Sequence, residues 1–190
     1  MVSLYMVENT EDKKKRKQYI NKAVESIKRS KRLAKNIRMF KEINQRNATR
    51  INLNKSIRQS IERIKERFDR DIVVEYIEVK KHYIKANKFL EEVFISILEN
   101  AVKYTQEEPV CIDIAVEEKE GRCNISIRDY GIGISKKKRE DILESLETLS
   151  KRTGMGLYLV KKILQTFDGS FAIKEAPKGT EVVVRVPTIS

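Results

Sequence analysis

The sequence predicts an α+β fold: a two-layer α/β sandwich with helices on one face of a mixed, mostly antiparallel sheet, preceded by a long N-terminal helix. Three observations support this prediction. Residues 14–45 contain no Gly or Pro, and their apolar side chains recur at helical spacing. Strand-like alternation occurs in pairs, at 110–129 and 170–187, and helical patterns separate the pairs. The 190 residues, 40 % of them hydrophobic, suffice for one such core plus an appendage.

The first predicted element is an amphipathic helix over about 14–45. Its apolar side chains lie on one face and are Ile20, Val24, Ile27, Leu33, Ala34, Ile37 and Phe40. Charged residues cover much of the remaining surface, so we expect the apolar face to pack on a partner helix. Residues 3–9 resemble the end of an earlier element, and the ENTED stretch after it supplies capping residues for the long helix.

The middle of the chain predicts two helices and two short strands. Residues 46–53 form a connection, and a helix with isoleucines on one face follows from about Asn54 to Phe68. Strand candidates occupy 72–79 and 82–86. A strongly apolar helix then runs from about Asn87 to Tyr104.

A hairpin is predicted from strands at 110–117 and 123–129, joined through Gly121. A turn centred near this glycine pairs residue 118 with 123, so Cys111 and Cys123 do not face each other. We therefore predict two reduced thiols in or near the core, as is usual for a cytoplasmic protein.

The last third of the chain predicts a polar, mobile loop over 135–153, followed by a helix from about Met155 to Thr166. Two final strands, SFAIKEA and TEVVVRVP, flank a turn at Pro177–Gly179.

The formal charge of +12 is compatible with an anionic partner. The basic runs at 13–17 and 136–139 are short and are not interleaved with aromatic residues, which disfavours nucleic-acid binding. No apolar run approaches the ~20 residues of a membrane span, and no secretory signal is visible. These features lead us to expect a cytoplasmic location and no membrane segment in this chain.

Four short motifs carry the chemistry. They are ILENAVKYT at 97–105, DYGIG at 129–133, RTGMGLYLVKKI at 152–163 and KGTEVVV at 178–184. Each alone has an ordinary structural explanation, such as a turn or tight packing at the start of a helix. Their order and their placement at the ends of helices and strands favour one shared site.

These motifs resemble the ATP-binding domain of sensor histidine kinases, in the superfamily that also holds gyrase and the mismatch-repair ATPases. The resemblance covers about residues 50–188. ILENAVKYT looks like the family's asparagine box, DYGIG and TGMGLYLVKKI its two glycine boxes, and KGT its final Gly-Thr. It implies that residues 1–48 are the remnant of a helical dimerisation and phosphotransfer hairpin, which could form a homodimer, and that 49–190 are the ATP-binding catalytic domain.

The resemblance implies that Asp129 accepts a hydrogen bond from the adenine amino group, since guanine would present an acceptor there instead. Gly131 and Gly133 would let the backbone approach the nucleotide, and Thr180 would support Asp129. Asn100 would bind Mg²⁺ through its oxygen, with Lys103 reaching a phosphate and Tyr104 lining the site.

The second glycine box would open a helix whose N-terminal N–H groups face the phosphates of ATP or ADP. The residues implied in this nucleotide contact are Thr153, Gly154, Met155, Gly156 and Leu157. The loop at 135–153 would be the lid, in which Lys151 and Arg152 could neutralise the outer phosphates.

Three features depart from the family pattern. Ser96 replaces a second asparagine, so it would meet the metal only indirectly, and a gyrase-like glutamate base is missing from that position. The lid lacks an aromatic box. The family's phosphoacceptor histidine is also missing, because the one histidine, His82, precedes the asparagine helix and lacks the acidic neighbour.

We interpret the chain as the catalytic domain of a histidine kinase that binds Mg-ATP and serves a response regulator receiver domain. We expect it to be a fragment that begins after the phosphoacceptor histidine, and so to bind nucleotide without autophosphorylating. Two alternatives remain. One is a stand-alone serine kinase of the anti-sigma type, and the other is a non-enzymatic nucleotide-sensing or basic binding module.

Overall fold

A computed structural model describes residues 13–43, 48–78, 83–148 and 155–189. The chain divides into two compact units, Met1–Glu42 and Ile43–Ser190. The assignment of residues 1–48 to a hairpin remnant and of 49–190 to a catalytic domain stays a prediction.

The first unit contains the predicted long helix, α1, which spans Lys13–Ile43 and is confirmed. Its apolar face is exposed at Ile20, Val24, Ile27 and Ile37. The partner helix expected for this face stays a prediction. No helix in the described ranges is both long and apolar enough to cross a membrane.

The second unit alternates helices and strands close to the predicted positions. Its helices are α2 (Leu53–Arg67), α3 (Leu90–Tyr104), α4 (Lys136–Thr148) and α5 (Met155–Gln165). Its strands are β1 (Thr49–Asn52), β2 (Ile72–Tyr76), β3 (Tyr83–Ala86), β4 (Val110–Lys119), β5 (Arg122–Asp129), β6 (Ser170–Glu175) and β7 (Thr180–Pro187).

Five strands form one sheet in the order β2-β4-β5-β7-β6. The β2–β4 pair is parallel and the other three pairs are antiparallel, so the mixed, mostly antiparallel sheet is confirmed. Strand β5 alternates buried Cys123, Ile125 and Ile127 with less buried residues, as expected when one face is packed. Helix α3 packs into the core because nine of its 15 residues are buried, and all of these except Glu99 are apolar.

A second, two-stranded sheet was not predicted. Strand β1 pairs with β3 in antiparallel register, with Ile51 opposite Ile84. The sequence prediction treated residues 46–53 as a connection and placed every strand in one sheet. A four-residue strand carries too little alternation to be recognised alone, and its strand state depends on the pairing with β3.

The predicted loop at 135–153 is wrong over most of its length, because residues Lys136–Thr148 form α4. The Ser135 side chain accepts a hydrogen bond from the Lys138 backbone N–H (3.4 Å), which is a helix N-cap contact. Leu146 is buried, so this charged helix packs against the protein through the face that carries Leu146. The segment also lacks Gly and Pro, a signal for helix that the polar composition obscured.

The predicted hairpin register is confirmed: Glu118 pairs with Cys123, and the two cysteines are free thiols. Cys123 is fully buried, whereas Cys111 is partly exposed. Burial raises the pKa of the Cys123 thiol to about 11, with a further contribution from the nearby Glu118 carboxylate.

We expect only one of the two thiols to react with a maleimide in the native chain at pH 8. A pKa of about 11 leaves about one Cys123 thiol in a thousand ionised, and its burial excludes the reagent as well. Mass mapping of the labelled peptides should therefore find Cys111 modified and Cys123 unmodified until denaturant is added. Equal labelling of both in the native state would contradict the packing of β5.

Candidate functional site

The site is built around Asp129, the last residue of β5. One carboxylate oxygen, Oδ1, accepts hydrogen bonds from the backbone N–H groups of Gly131 (3.0 Å) and Thr180 (3.2 Å). In the part of the chain that the structure describes, Oδ2 has no hydrogen-bond partner. Burial raises the pKa of Asp129, and the two backbone N–H groups oppose this by stabilising the charged form. The carboxylate is thus fixed by the backbone and keeps one oxygen available to a ligand.

Two glycines bring the β6–β7 turn onto this strand end. At Gly179, where φ is +78°, an added Cβ would lie 1.9 Å from the Asp129 carbonyl oxygen. At Gly133, where φ is +70°, it would lie 3.0 Å from the Gly179 carbonyl oxygen. Contacts this close require the absence of a side chain, so these glycines allow Thr180 to reach the Asp129 carboxylate.

Gly131 docks the DYGIG segment onto the C-terminal end of α3. A Cβ there would lie 2.5 Å from the Tyr104 carbonyl oxygen, the same oxygen that accepts a hydrogen bond from the Ile132 N–H (3.1 Å). Beside it, Thr105 Oγ1 is buried and has no hydrogen-bond partner within the described ranges. The end of β5 and the last turn of α3 therefore form one continuous wall.

Asn100 and Ser96 lie one turn apart on α3, and both are half-buried. Neither side chain forms a hydrogen bond with any of the described residues, so their oxygens are available to a ligand. Gly156, in the first turn of α5, approaches the same face, because a Cβ added to it would lie 2.8 Å from Ser96 Oγ. The start of α5 is therefore beside the side chains predicted to act near the metal.

The other two α3 residues of the predicted site have different contacts. The Lys103 ammonium pairs with Glu99 Oε2 at 2.7 Å, so it is held by a carboxylate. Tyr104 is 56 % exposed, and its backbone carbonyl is the group that contacts the DYGIG segment. Phosphate binding by Lys103 and the lining role of Tyr104 stay predictions.

The second glycine box is described only from Met155 onward, where α5 begins, and Leu157 is half-buried in its first turn. The predicted contacts of Lys151, Arg152, Thr153 and Gly154 lie outside the described residues, as does His82.

Three charged residues near the site escaped the sequence prediction. Glu99 is buried and pairs with both Lys103 and Arg67. Arg70 Nη1 donates to the carbonyl oxygens of Val102 (2.8 Å) and Thr105 (2.7 Å), which caps the end of α3. The four-residue spacing of Glu99 and Lys103 is the one signal the sequence offers, because both arginines come from outside α3.

The residues present fit both a purine and a divalent cation. The free carboxylate oxygen of Asp129, beside close-packed glycines, can accept a hydrogen bond from the exocyclic amino group of a flat ring. Asn100 offers one neutral oxygen, which suits Mg²⁺ held mainly by phosphate oxygens and water. Among the described residues, no group of three or more His, Cys, Asp or Glu side chains could hold a metal ion.

Comparisons with known proteins identify a family to which the chain is similar. The family described as "Histidine kinase-, DNA gyrase B-, and HSP90-like ATPase" matches residues 85–190. The signal transduction histidine-protein kinase ArlS of Staphylococcus aureus (strain USA300) is 30 % identical over 146 residues, which cover 70 % of this chain and 31 % of ArlS. The chain thus spans about a third of that relative.

Two solved histidine kinases share the fold. The Acinetobacter baumannii histidine kinase AdeS matches with a TM-score of 0.68 and 17 % identity, over 99 % of this chain and 96 % of that one. Full-length ShkA in complex with AMPPNP matches with a TM-score of 0.68 and 20 % identity, over 96 % of this chain and 41 % of that one. At these identities the likeness is one of fold.

Proposed function

Because this chain belongs to the family of histidine kinase-, DNA gyrase B- and HSP90-like ATPases, we propose that it is the ATP-binding catalytic domain of a two-component sensor histidine kinase. The observation that carries the proposal is the Asp129 carboxylate, held by two backbone N–H groups with one oxygen left over. The similarity to ArlS favours the histidine kinase branch of the family.

In this proposal, Asp129 selects adenine. Its Oδ2 accepts from the exocyclic amino group, whereas guanine would place a carbonyl oxygen against the carboxylate. Gly131 and Gly133 allow the close backbone contacts with Tyr104 and Gly179 that surround Asp129, and Thr180 holds the carboxylate orientation through its backbone N–H. Binding of the base thus relies on a preformed backbone arrangement, which costs little reorganisation.

The phosphates and Mg²⁺ lie, in this proposal, between α3 and the start of α5. Asn100 would supply an oxygen ligand to Mg²⁺, and Ser96 would contact the ion only indirectly, through water. The N–H groups at the start of α5 face the phosphates, and Lys103, Lys151 and Arg152 offset their charge. Mg²⁺, when bound, neutralises charge on the transferring phosphoryl group.

The reaction we propose is phosphoryl transfer from ATP to a histidine on a dimerisation hairpin, from which a response regulator receiver domain then takes the phosphoryl group. His82 is a poor candidate for the acceptor because a tyrosine, not an acidic residue, follows it. The protein mainly positions groups and neutralises charge in such a transfer. Homodimerisation through the apolar face of α1 and a cytoplasmic location belong to the same proposal.

Calorimetric titration with a non-hydrolysable ATP analogue, with and without Mg²⁺, tests the proposal. We expect binding in the micromolar range, strengthened by Mg²⁺, and no comparable binding of the GTP analogue. Supplying a histidine-bearing hairpin with ATP should then yield phosphohistidine. Phosphoserine on a partner would instead support the serine kinase alternative, and salt-dependent nucleic-acid binding without ATP affinity the basic module.

A further inference from the structure

Three charged side chains meet between α2 and α3, and we call them the Glu99 cluster: Arg67, Glu99 and Lys103. Arg67 Nη1 contacts Glu99 Oε1, while Lys103 Nζ lies 2.7 Å from Glu99 Oε2. Each carboxylate oxygen therefore has its own cation. Arg67 comes from the last turn of α2, whereas Glu99 and Lys103 are one turn apart on α3.

The three side chains are unequally buried. The Glu99 side chain is only 10 % exposed, while Lys103 is 37 % and Arg67 52 % exposed. A buried carboxylate without a cation would be costly, but this one has two. One of the two cations can therefore leave while the other keeps the charge paired.

Of the two cations, Lys103 is the one that can leave Glu99 to bind a phosphate. It lies three residues after Asn100 on α3 and so shares the side of the helix on which the predicted metal ligand projects. Its side chain is long and has three rotatable donors, so the ammonium can exchange a carboxylate for a phosphate. Arg67 lies on another helix, α2, and its Nη1 contacts Glu99 Oε1.

We propose that Glu99 and Arg67 are positioning residues that set how readily Lys103 binds the nucleotide phosphates. Glu99 holds Lys103 in the nucleotide-free chain, and Arg67 keeps Glu99 paired when Lys103 turns to the phosphates. This inference rests on the proposed function and deepens it, because it separates recognition of the phosphates from recognition of adenine by Asp129.

The proposal predicts opposite effects for two substitutions. The quantity compared is the ratio of the affinity for an ATP analogue to the affinity for adenosine. Glu99→Gln frees Lys103, so this ratio should rise by about two- to fivefold, which corresponds to the free energy of one surface ion pair. Arg67→Gln leaves Lys103 as the one partner of Glu99, so the same ratio should fall, by about fivefold or more. Adenosine affinity itself should change in neither variant, which also shows that the site is folded.

The experiment measures calorimetric affinities of the full chain for the ATP analogue with Mg²⁺ and for adenosine. Each substitution is made alone and together with Lys103→Met, in which both effects should vanish. The matched control is Glu91→Gln, which breaks a second ion pair between α2 and α3, Arg63–Glu91 at 3.4 Å, and should leave the ratio unchanged.

Three results would overturn the inference: a shift of the ratio in the same direction in the two variants, shifts that persist with Lys103→Met, or an unchanged ratio. An unchanged ratio with a lower melting temperature would assign the Glu99 cluster a purely structural role. Failure of the unaltered chain to bind either ligand would reject the proposed function itself, which is a distinguishable outcome.

Discussion

Replacing Asp129 by Asn is expected to weaken binding of an ATP analogue at least about 30-fold, equivalent to about 2 kcal/mol. The asparagine oxygen can still accept the N–H groups of Gly131 and Thr180, so the backbone arrangement is kept. Its amide nitrogen then occupies the position of Oδ2 and places a donor against the adenine amino group. Titration calorimetry of the two chains measures the difference directly.

The control for this variant is its stability without nucleotide. Burial raises the folded-state pKa of Asp129, so the folded chain binds this proton more tightly than the unfolded chain. The stabilisation is therefore present at low pH and is lost as the pH rises through the folded-state pKa. At pH 7 the ionised Asp129 costs stability, and the uncharged Asp129→Asn variant should melt no lower than the unaltered chain.

The same pKa shift gives a second check on Asp129→Asn. Adenine needs the ionised carboxylate as acceptor, so affinity of the unaltered chain should fall on acidification at a pH above the usual aspartate range. The residual binding of the variant should lack that transition. A variant that melts much lower, or that binds the ATP analogue normally, would contradict the role assigned to Asp129.

The centre of the site could be predicted because its chemistry is local in sequence. Gly131 and Gly133 are needed because two backbone segments come into close contact at these positions, and such a requirement for glycine can be recognised in the sequence. Asp129 ends an alternating strand and Asn100 lies within an apolar helix, so both stand out from their surroundings. The position of the turn at Gly121 likewise sufficed for the hairpin register.

The parts that were missed depend on contacts between distant segments. Glu99 looks like one more charged helix residue, and its partner Arg67 lies 32 residues earlier in the chain. Strand β1 exists through its pairing with β3. The charged composition of α4 predicts a loop despite its helical propensity, and the burial of Leu146 cannot be seen in the sequence.

Replacing Gly179 by Ala should produce the largest structural effect in the chain. The new Cβ would lie 1.9 Å from the Asp129 carbonyl oxygen and 2.5 Å from its carbonyl carbon, and φ at Gly179 is +78°. Since the obstacle is backbone, β5 and β7 must separate at this end, which breaks the bond from Thr180 N–H to Asp129. We expect a loss of at least about 3 kcal/mol in the free energy of unfolding and no measurable nucleotide binding.

Gly121→Ala separates the two causes of that loss. Gly121 has a φ of +70°, close to that of Gly179, but no atom lies within 4 Å of the Cβ that would be added. This control should therefore show the backbone strain alone, about 1 kcal/mol, with nucleotide affinity unchanged. Urea unfolding of both variants measures the two costs. Equal costs would mean that the close contact of Gly179 with Asp129 is absent in solution, and that the carboxylate is oriented by some other contact.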